Sequence, residues 1–261
     1  MKKSLLALGV LATTTSAFAA DYTDGNIHKN DYKWSQFNLM YAVDELPGES
    51  SHDYLEMEFG GRSGLFDLYG YVDIFNLTTD SDSDKDGSSK MFMKFAPRLS
   101  LDALTKKDLS FGPVQEVYIA SLFNWGGGVN DVNNSFIGLG SDVMVPWLGK
   151  VGLNAYATYA TNEKDWNGFQ ISTNWFKPFH FFENGSFISY QGYIDYQFGM
   201  KDEYSTSSSG GAMFNGIYWH SDRYSVGYGL KGYKDIYGIE DGAFGLKTTG
   251  FSHYFAVTYK F

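Results

Sequence analysis

Phe251-Ser-His-Tyr-Phe-Ala-Val-Thr-Tyr-Lys-Phe261 alternates over its whole length. Successive side chains on a strand point to opposite faces of the sheet. Phe251, His253, Phe255, Val257, Tyr259 and Phe261 therefore share one apolar face. Ser252, Tyr254, Ala256, Thr258 and Lys260 share a wetter one. The segment has the roughly 9–11 residues that a tilted membrane strand needs, and it finishes on an aromatic residue. A strand of a soluble sandwich alternates in the same way, so this segment alone leaves both architectures open. In the membrane reading, Phe255, Val257, Tyr259 and Phe261 face lipid, while Tyr254, Thr258 and Lys260 face a lumen.

The opposite end of the chain reads as an export signal. Lys2 and Lys3 form a basic start, Leu5 to Ala12 an apolar stretch, and Ala17-Phe18-Ala19 a small-x-small cleavage site. That order of parts is a secretory signal peptide rather than a membrane helix. Cleavage after Ala19 leaves 261 − 19 = 242 residues and, with Lys2 and Lys3 gone, moves the formal charge from −10 to −12.

Composition narrows the class. With no cysteine there is neither a disulfide framework nor a thiolate metal site. An exported chain of this size then needs another source of rigidity, and a closed barrel, which leaves no sheet edge unpaired, supplies one. Aromatic residues reach 18% and glycine numbers 30. Rings gather where a barrel crosses the two membrane interfaces. Outside the signal, no apolar run approaches the ~18 residues of a membrane helix. The acidic balance argues against nucleic acid as a partner, because no basic stripe is present to neutralise phosphates.

Between the two ends, twelve alternating segments are predicted as strands: 33–43, 52–60, 64–75, 90–101, 114–125, 134–145, 150–160, 167–176, 186–198, 211–221, 223–233 and 251–261. In 64–75, Phe66, Leu68, Val72 and Ile74 oppose Asp67, Tyr69, Tyr71 and Asp73. In 90–101, Met93, Phe95, Pro97, Leu99 and Leu101 oppose Lys94, Arg98 and Ser100. In 186–198, Ile188, Tyr190, Ile194, Tyr196 and Phe198 oppose Ser189, Gln191, Asp195 and Gln197. The facing of 211–221 is ambiguous. An even strand number is the bacterial pattern, with short turns at one end and longer loops at the other. The connections at 44–51, 76–89, 126–133, 161–166, 199–210 and 234–250 are rich in Gly, Ser, Asn and Asp and read as outer loops. Those at 61–63, 146–149 and 222 are short turns, whereas 102–113 and 177–185 depart from that pattern. The expected fold is all-β: one twelve-stranded antiparallel transmembrane β-barrel over 20–261, preceded by a cleaved signal peptide over 1–19.

Catalytic motifs do not emerge. The histidines at 28, 52, 180, 220 and 253 show no zinc-site spacing, and neither a phosphate-binding glycine loop nor a nucleophile elbow is present. Ser252 and His253 fall on opposite faces, which argues against a lipid-side Ser/His pair. Asp82-Ser-Asp-Lys-Asp-Gly87 matches the first half of a calcium loop, but the position of its bidentate Glu holds Met93. It reads as a solvated acidic loop. The expectation is a protein that is not an enzyme and has no cofactor or metal.

What remains is a set of inward ionisable groups and rings. Glu56, Glu58, Asp67 and Asp73 are acidic; Lys94, Arg98, Arg223 and Lys231 are basic; Tyr69, Tyr71, Tyr118, Tyr156 and Tyr193 supply rings. Opposite charges in a polar lumen can simply pair off. They can also line a narrow pore, with rings stacking on flat bases and charged groups hydrogen-bonding hydroxyls. Several weak sites in series permit both entry and exit. Glu56, Glu58, Asp67, Tyr69, Tyr71, Asp73, Lys94, Arg98 and Tyr118 are the candidate substrate-channel residues.

Four stretches carry a resemblance to a known family: Asp53-Tyr-Leu-Glu-Met-Glu58 with Phe66-Asp-Leu-Tyr-Gly-Tyr-Val-Asp73, Ala96-Pro-Arg-Leu-Ser-Leu-Asp-Ala-Leu-Thr105, Asp108-Leu-Ser-Phe-Gly-Pro113, and the finish Ser252 to Phe261. Together they resemble the Tsx-like nucleoside-specific channel-forming porins. The resemblance implies a monomeric barrel in the outer membrane of a Gram-negative bacterium, passing nucleosides or similar small solutes. It also implies outer-membrane lipid around the barrel and a phage receptor-binding protein as a surface partner. On the matching positions it implies solute contacts at Glu56, Glu58, Asp67, Tyr69, Tyr71, Asp73 and Arg98. The first outer connection, Asp44-Glu-Leu-Pro-Gly48, departs from the family's aromatic-Gly-Pro segment because it has no ring. A surface-attachment barrel with little pore activity is the alternative function.

Overall fold

A computed structural model describes residues 20–78, 89–127 and 131–261. The expected signal peptide and the Asp82–Gly87 motif lie outside these residues. The described strands are β1 (Tyr32–Glu45), β2 (Ser50–Ser63), β3 (Phe66–Phe75), β4 (Met91–Phe95), β5 (Arg98–Ser100), β6 (Val114–Trp125), β7 (Asn133–Val145), β8 (Gly149–Ala160), β9 (Asp165–Phe181), β10 (Phe187–Phe198), β11 (Ser209–His220), β12 (Tyr224–Lys234) and β13 (Gly250–Lys260); the helix α1 (Leu101–Thr105) follows β5. Every pairing is antiparallel between neighbours, and β13 closes on β1. β4 and β5 both lie between β3 and β6, so the thirteen strands occupy twelve barrel positions. Closure leaves no sheet edge, which is what a spanning sheet needs where no water is available to satisfy backbone groups.

The terminal strand closes the barrel in the expected register. Phe255, Val257 and Phe261 are 51%, 55% and 68% exposed, whereas Tyr254, Thr258 and Lys260 are each 3% exposed. Opposite them on β1, Leu39 and Tyr41 face outward, and Asn38, Met40 and Ala42 face inward. Rings mark both ends of the outer surface. At the end carrying the C-terminus, Phe261 packs on Phe37 and Tyr259 with centroids 5.4 and 5.2 Å apart. At the loop end, Phe123 stacks on Trp125, and Tyr159 meets Trp166. These are the aromatic girdles of a membrane barrel.

Three expectations need correction. The segment 90–101 is not one strand. Pro97 has no N–H to give the ladder, so the strand breaks between β4 and β5. Leu101 leaves the sheet to start α1, whose first turn is capped by Ser100 accepting the Ala103 amide. Arg223 does not face the lumen: it sits exposed in the turn before β12 and donates to the Tyr259 hydroxyl. The connection expected at 177–185 is shorter, because β9 continues to Phe181.

The ambiguous strand is also resolved. Ala212, Tyr218 and His220 are buried inside the barrel, and Met213, Ile217 and Trp219 face outward. Phe214 also turns inward and lies over Gly229 of β12, where any Cβ would run into its ring. Glycine is what permits that close approach.

At the loop end, the connection 235–249 is tied by its own carboxylates. Asp241 Oδ1 accepts the Thr248 and Thr249 amides at 2.9 and 3.0 Å. Those hydrogen bonds hold its carboxyl below the ordinary value. The stabilisation is thus complete above the ordinary carboxylate range and is lost as pH falls through the lowered value. Exchange protection of the Thr248 and Thr249 amides should hold at neutral pH and disappear on acidification below that range. An Asp241→Asn variant should lose this pH dependence. Protection in the native loop that stays flat from neutral pH until the carboxylate is fully protonated, well below the ordinary carboxylate range, would contradict the assignment.

Candidate solute channel

Alternation points one residue in two of every strand into the barrel, and polar side chains dominate that set. β1 and β2 build an acidic wall. Asn38 donates to Glu56 Oε1 at 2.6 Å, and Gln36 donates to Glu58 Oε2 at 2.6 Å. The Tyr69 hydroxyl donates to Glu58 Oε1 at 2.8 Å. Thr258 of β13 donates to Asn38 Oδ1 at 2.7 Å, so the wall is braced across the closing seam. Asp73 stands directly opposite Glu56, and Tyr71 opposite Glu58.

A cation reaches across the lumen from beside this wall. Lys94 Nζ lies 3.2 Å from Asp195 Oδ2. Their strands, β4 and β10, are separated by β6 to β9, so the pair meets inside the barrel rather than along a ladder. The ammonium is 5.8 Å from the Tyr71 ring centroid and 5.6 Å from that of Tyr193. Tyr193 is itself stacked on Phe214, with centroids 5.8 Å apart and planes 11° apart. Lys231 sits over Tyr233 and Tyr254 at 4.9 and 5.6 Å. The section therefore combines flat aromatic faces, carboxylate acceptors and ammonium donors. Such a set can stack a planar ring and hydrogen-bond hydroxyls at the same time.

Nearer the end that carries the termini, the charges neutralise one another. Arg98 bridges Asp67 at 3.1 Å and Asp142 at 3.0 Å, with its guanidinium carbon 4.1 Å from the Tyr118 ring centroid. Lys150 also reaches Asp142, at 3.1 Å, and the Tyr118 hydroxyl donates to it at 3.2 Å. Arg62 makes a two-pronged pair with Glu116 at 2.7 and 2.9 Å, and the Ser100 hydroxyl donates to the same carboxylate.

The nine candidate residues thus all point inward, but they divide. Glu56, Glu58, Tyr69, Tyr71, Asp73 and Lys94 surround the upper lumen. Asp67, Arg98 and Tyr118 belong to the lower ion-pair network, in which Tyr118 is fully buried. Sequence reasoning missed Asp195, Asp142, Glu116 and Arg62 as members of these clusters. Alternation did place Asp195 on the polar face; its partnership with Lys94 spans 101 residues and has no local signature.

The chain was compared with known proteins. The family model described as "Nucleoside-specific channel-forming protein, Tsx" matches residues 29–261. Outer membrane protein OmpK of Vibrio parahaemolyticus is 74% identical over 267 aligned residues, covering 100% of both chains. Nucleoside-specific channel-forming proteins Tsx of Salmonella typhimurium and of Klebsiella pneumoniae are 32% and 30% identical, again over 100% of both chains. A family match over nearly all of the barrel, together with these relatives, shows that the chain belongs to the Tsx family of outer-membrane channel proteins.

Proposed function

We propose that this barrel is a passive outer-membrane channel for nucleosides or solutes of similar size. The observation that carries the reading is the upper lumen. The Tyr71 and Tyr193 rings lie on the two sides of the lumen that the Lys94–Asp195 pair joins, Tyr71 directly beside the Glu56–Glu58–Asp73 wall. Rings offer a base a stacking face, and the carboxylates offer acceptors to sugar hydroxyls. Contacts of this kind are individually weak, which lets a solute leave as readily as it enters. The family assignment supports the nucleoside class, since the Tsx relatives are described by that specificity. Outer-membrane barrels keep their short turns in the periplasm, so the termini face inward and the loops face the medium. Residues 1–19 are the export signal in this reading, removed before the barrel forms as a monomer in outer-membrane lipid.

Liposome swelling tests the function. Vesicles carrying the protein should swell faster in nucleosides than in sugars of similar size. Equal rates for both solute classes would reject nucleoside selectivity and leave a general pore.

A second reading concerns the loop end. The tied connection 235–249 presents Phe244 at 80% exposure. An exposed ring on a braced loop suits attachment by a phage receptor-binding protein, and the two roles are compatible because they use different parts of the barrel. Unchanged phage adsorption after replacement of loops 199–208 and 235–249 would remove this reading.

A further inference from the structure

The Lys94–Asp195 pair separates two unlike regions of the barrel interior. β4 and β10 stand close to opposite one another in the ring of strands, so the pair is a bridge from one wall to the other. On one side of the bridge, the interior is filled. Ala120, Leu122, Phe136 and Tyr156 point inward from β6, β7 and β8, are 0%, 3%, 1% and 4% exposed, and pack into one apolar cluster. Both ends of the bridge adjoin that cluster. Ala96, two residues after Lys94, packs against it, and Gln170, whose side-chain amide lies 3.5 Å from Asp195 Oδ1, stands opposite Tyr156.

On the other side, the inward residues Glu58, Tyr71, Tyr193 and Lys231 are only half-buried. The Lys94 and Asp195 side chains are themselves 18% and 25% exposed, so water touches the bridge, and it does so from this open side. Both partners are held in place. The ammonium is attracted to the nearby Tyr71 and Tyr193 rings. The Asp195 carboxylate adjoins Gln170, whose own side-chain oxygen accepts the Gln197 amide at 3.0 Å. Along this stretch the boundary of the open space is two paired side chains rather than a strand.

We propose that Lys94 and Asp195 form a partition, which confines the conducting path to the side of the lumen that carries the acidic wall and so sets its width. Once the attraction is gone and the lysine stem is shortened, the two side chains no longer meet, and each falls back to its own strand. The proposal rests on the channel reading above, since a partition matters only where the lumen conducts, but not on the identity of the solute.

The test is unitary conductance in symmetrical KCl across a planar bilayer, with nucleoside block measured on the same channels. Lys94→Gln combined with Asp195→Asn removes one charge of each sign. The net charge of the lumen is kept and no charge is left without its partner, so the variant isolates the bridge. It should raise conductance by about twofold or more. Lys94→Asp combined with Asp195→Lys rebuilds the bridge with its ends exchanged and should return conductance to the native value. The proposal is overturned if the neutral double variant conducts as the native channel does, if the exchanged pair conducts as the neutral variant does, or if none of the proteins conducts. A conductance increase in the neutral variant, with a native channel that nucleosides never block, would count against the proposed solute and leave the partition standing. A native channel that nucleosides block, with no conductance change in the neutral variant, would remove the partition and leave the solute.

Discussion

Tyr71→Ala should raise the nucleoside concentration that half-blocks the current by roughly 5- to 150-fold, the equivalent of a lost base–ring stack of about 1–3 kcal/mol. Tyr71 is the ring of β3 that faces both the Lys94 ammonium and, across the sheet, Glu58. Removing it takes away a stacking surface and one side of the ammonium's aromatic cradle together. Tyr71→Phe keeps the ring and should stay close to the native value. Asp73→Asn, on the sugar-contacting side, should weaken block without removing stacking. If Tyr71→Ala shifts the half-blocking concentration by less than about twofold, stacking on this ring is not how the solute is held.

The second large effect concerns stability. Arg62→Met should lower barrel stability by about 3–5 kcal/mol, because it strands the Glu116 carboxylate in the lower network. The Arg62 and Glu116 side chains are only 3% and 6% exposed, and their geometry is the parallel fork in which charge-assisted bonds are strongest. A double variant, Arg62→Met with Glu116→Gln, should recover much of the loss, since no buried charge then lacks a partner. Denaturant unfolding from lipid vesicles reads both. A single variant within about 1 kcal/mol of the native barrel would mean that lumenal water solvates Glu116 freely.

Much of the fold was legible because alternation is a local property. The register of Phe251 to Phe261 follows from period two alone, and so does the inward placement of Glu56, Glu58, Tyr71 and Asp73. Alternation failed where both faces carry the same residue type. In 211–221, Phe214 and Tyr218 turn inward over glycines while Ile217 and Trp219 face lipid, so the apolar pattern has no clear phase. It failed again at Pro97, where a missing N–H ended a strand whose side chains still alternated. Arg223 was misplaced because a tight turn consumes residues that a continued strand would have pointed inward.

The candidate site was legible only on one wall. The alternation that set Lys94 inward says nothing about which distant strand it meets, and Asp195 lies five barrel positions away. The division between the upper lumen and the lower ion-pair network depends on depth along the barrel axis, which strand boundaries uncertain by two or more residues cannot fix.

Whether the lumen is a nucleoside-conducting path is read from the unitary current of the native protein under graded nucleoside. A saturable fall in current is predicted, half complete at roughly millimolar nucleoside, because weak contacts in series hold the solute briefly in the pore. A current that stays unchanged throughout that range would show that nucleosides do not enter the lumen.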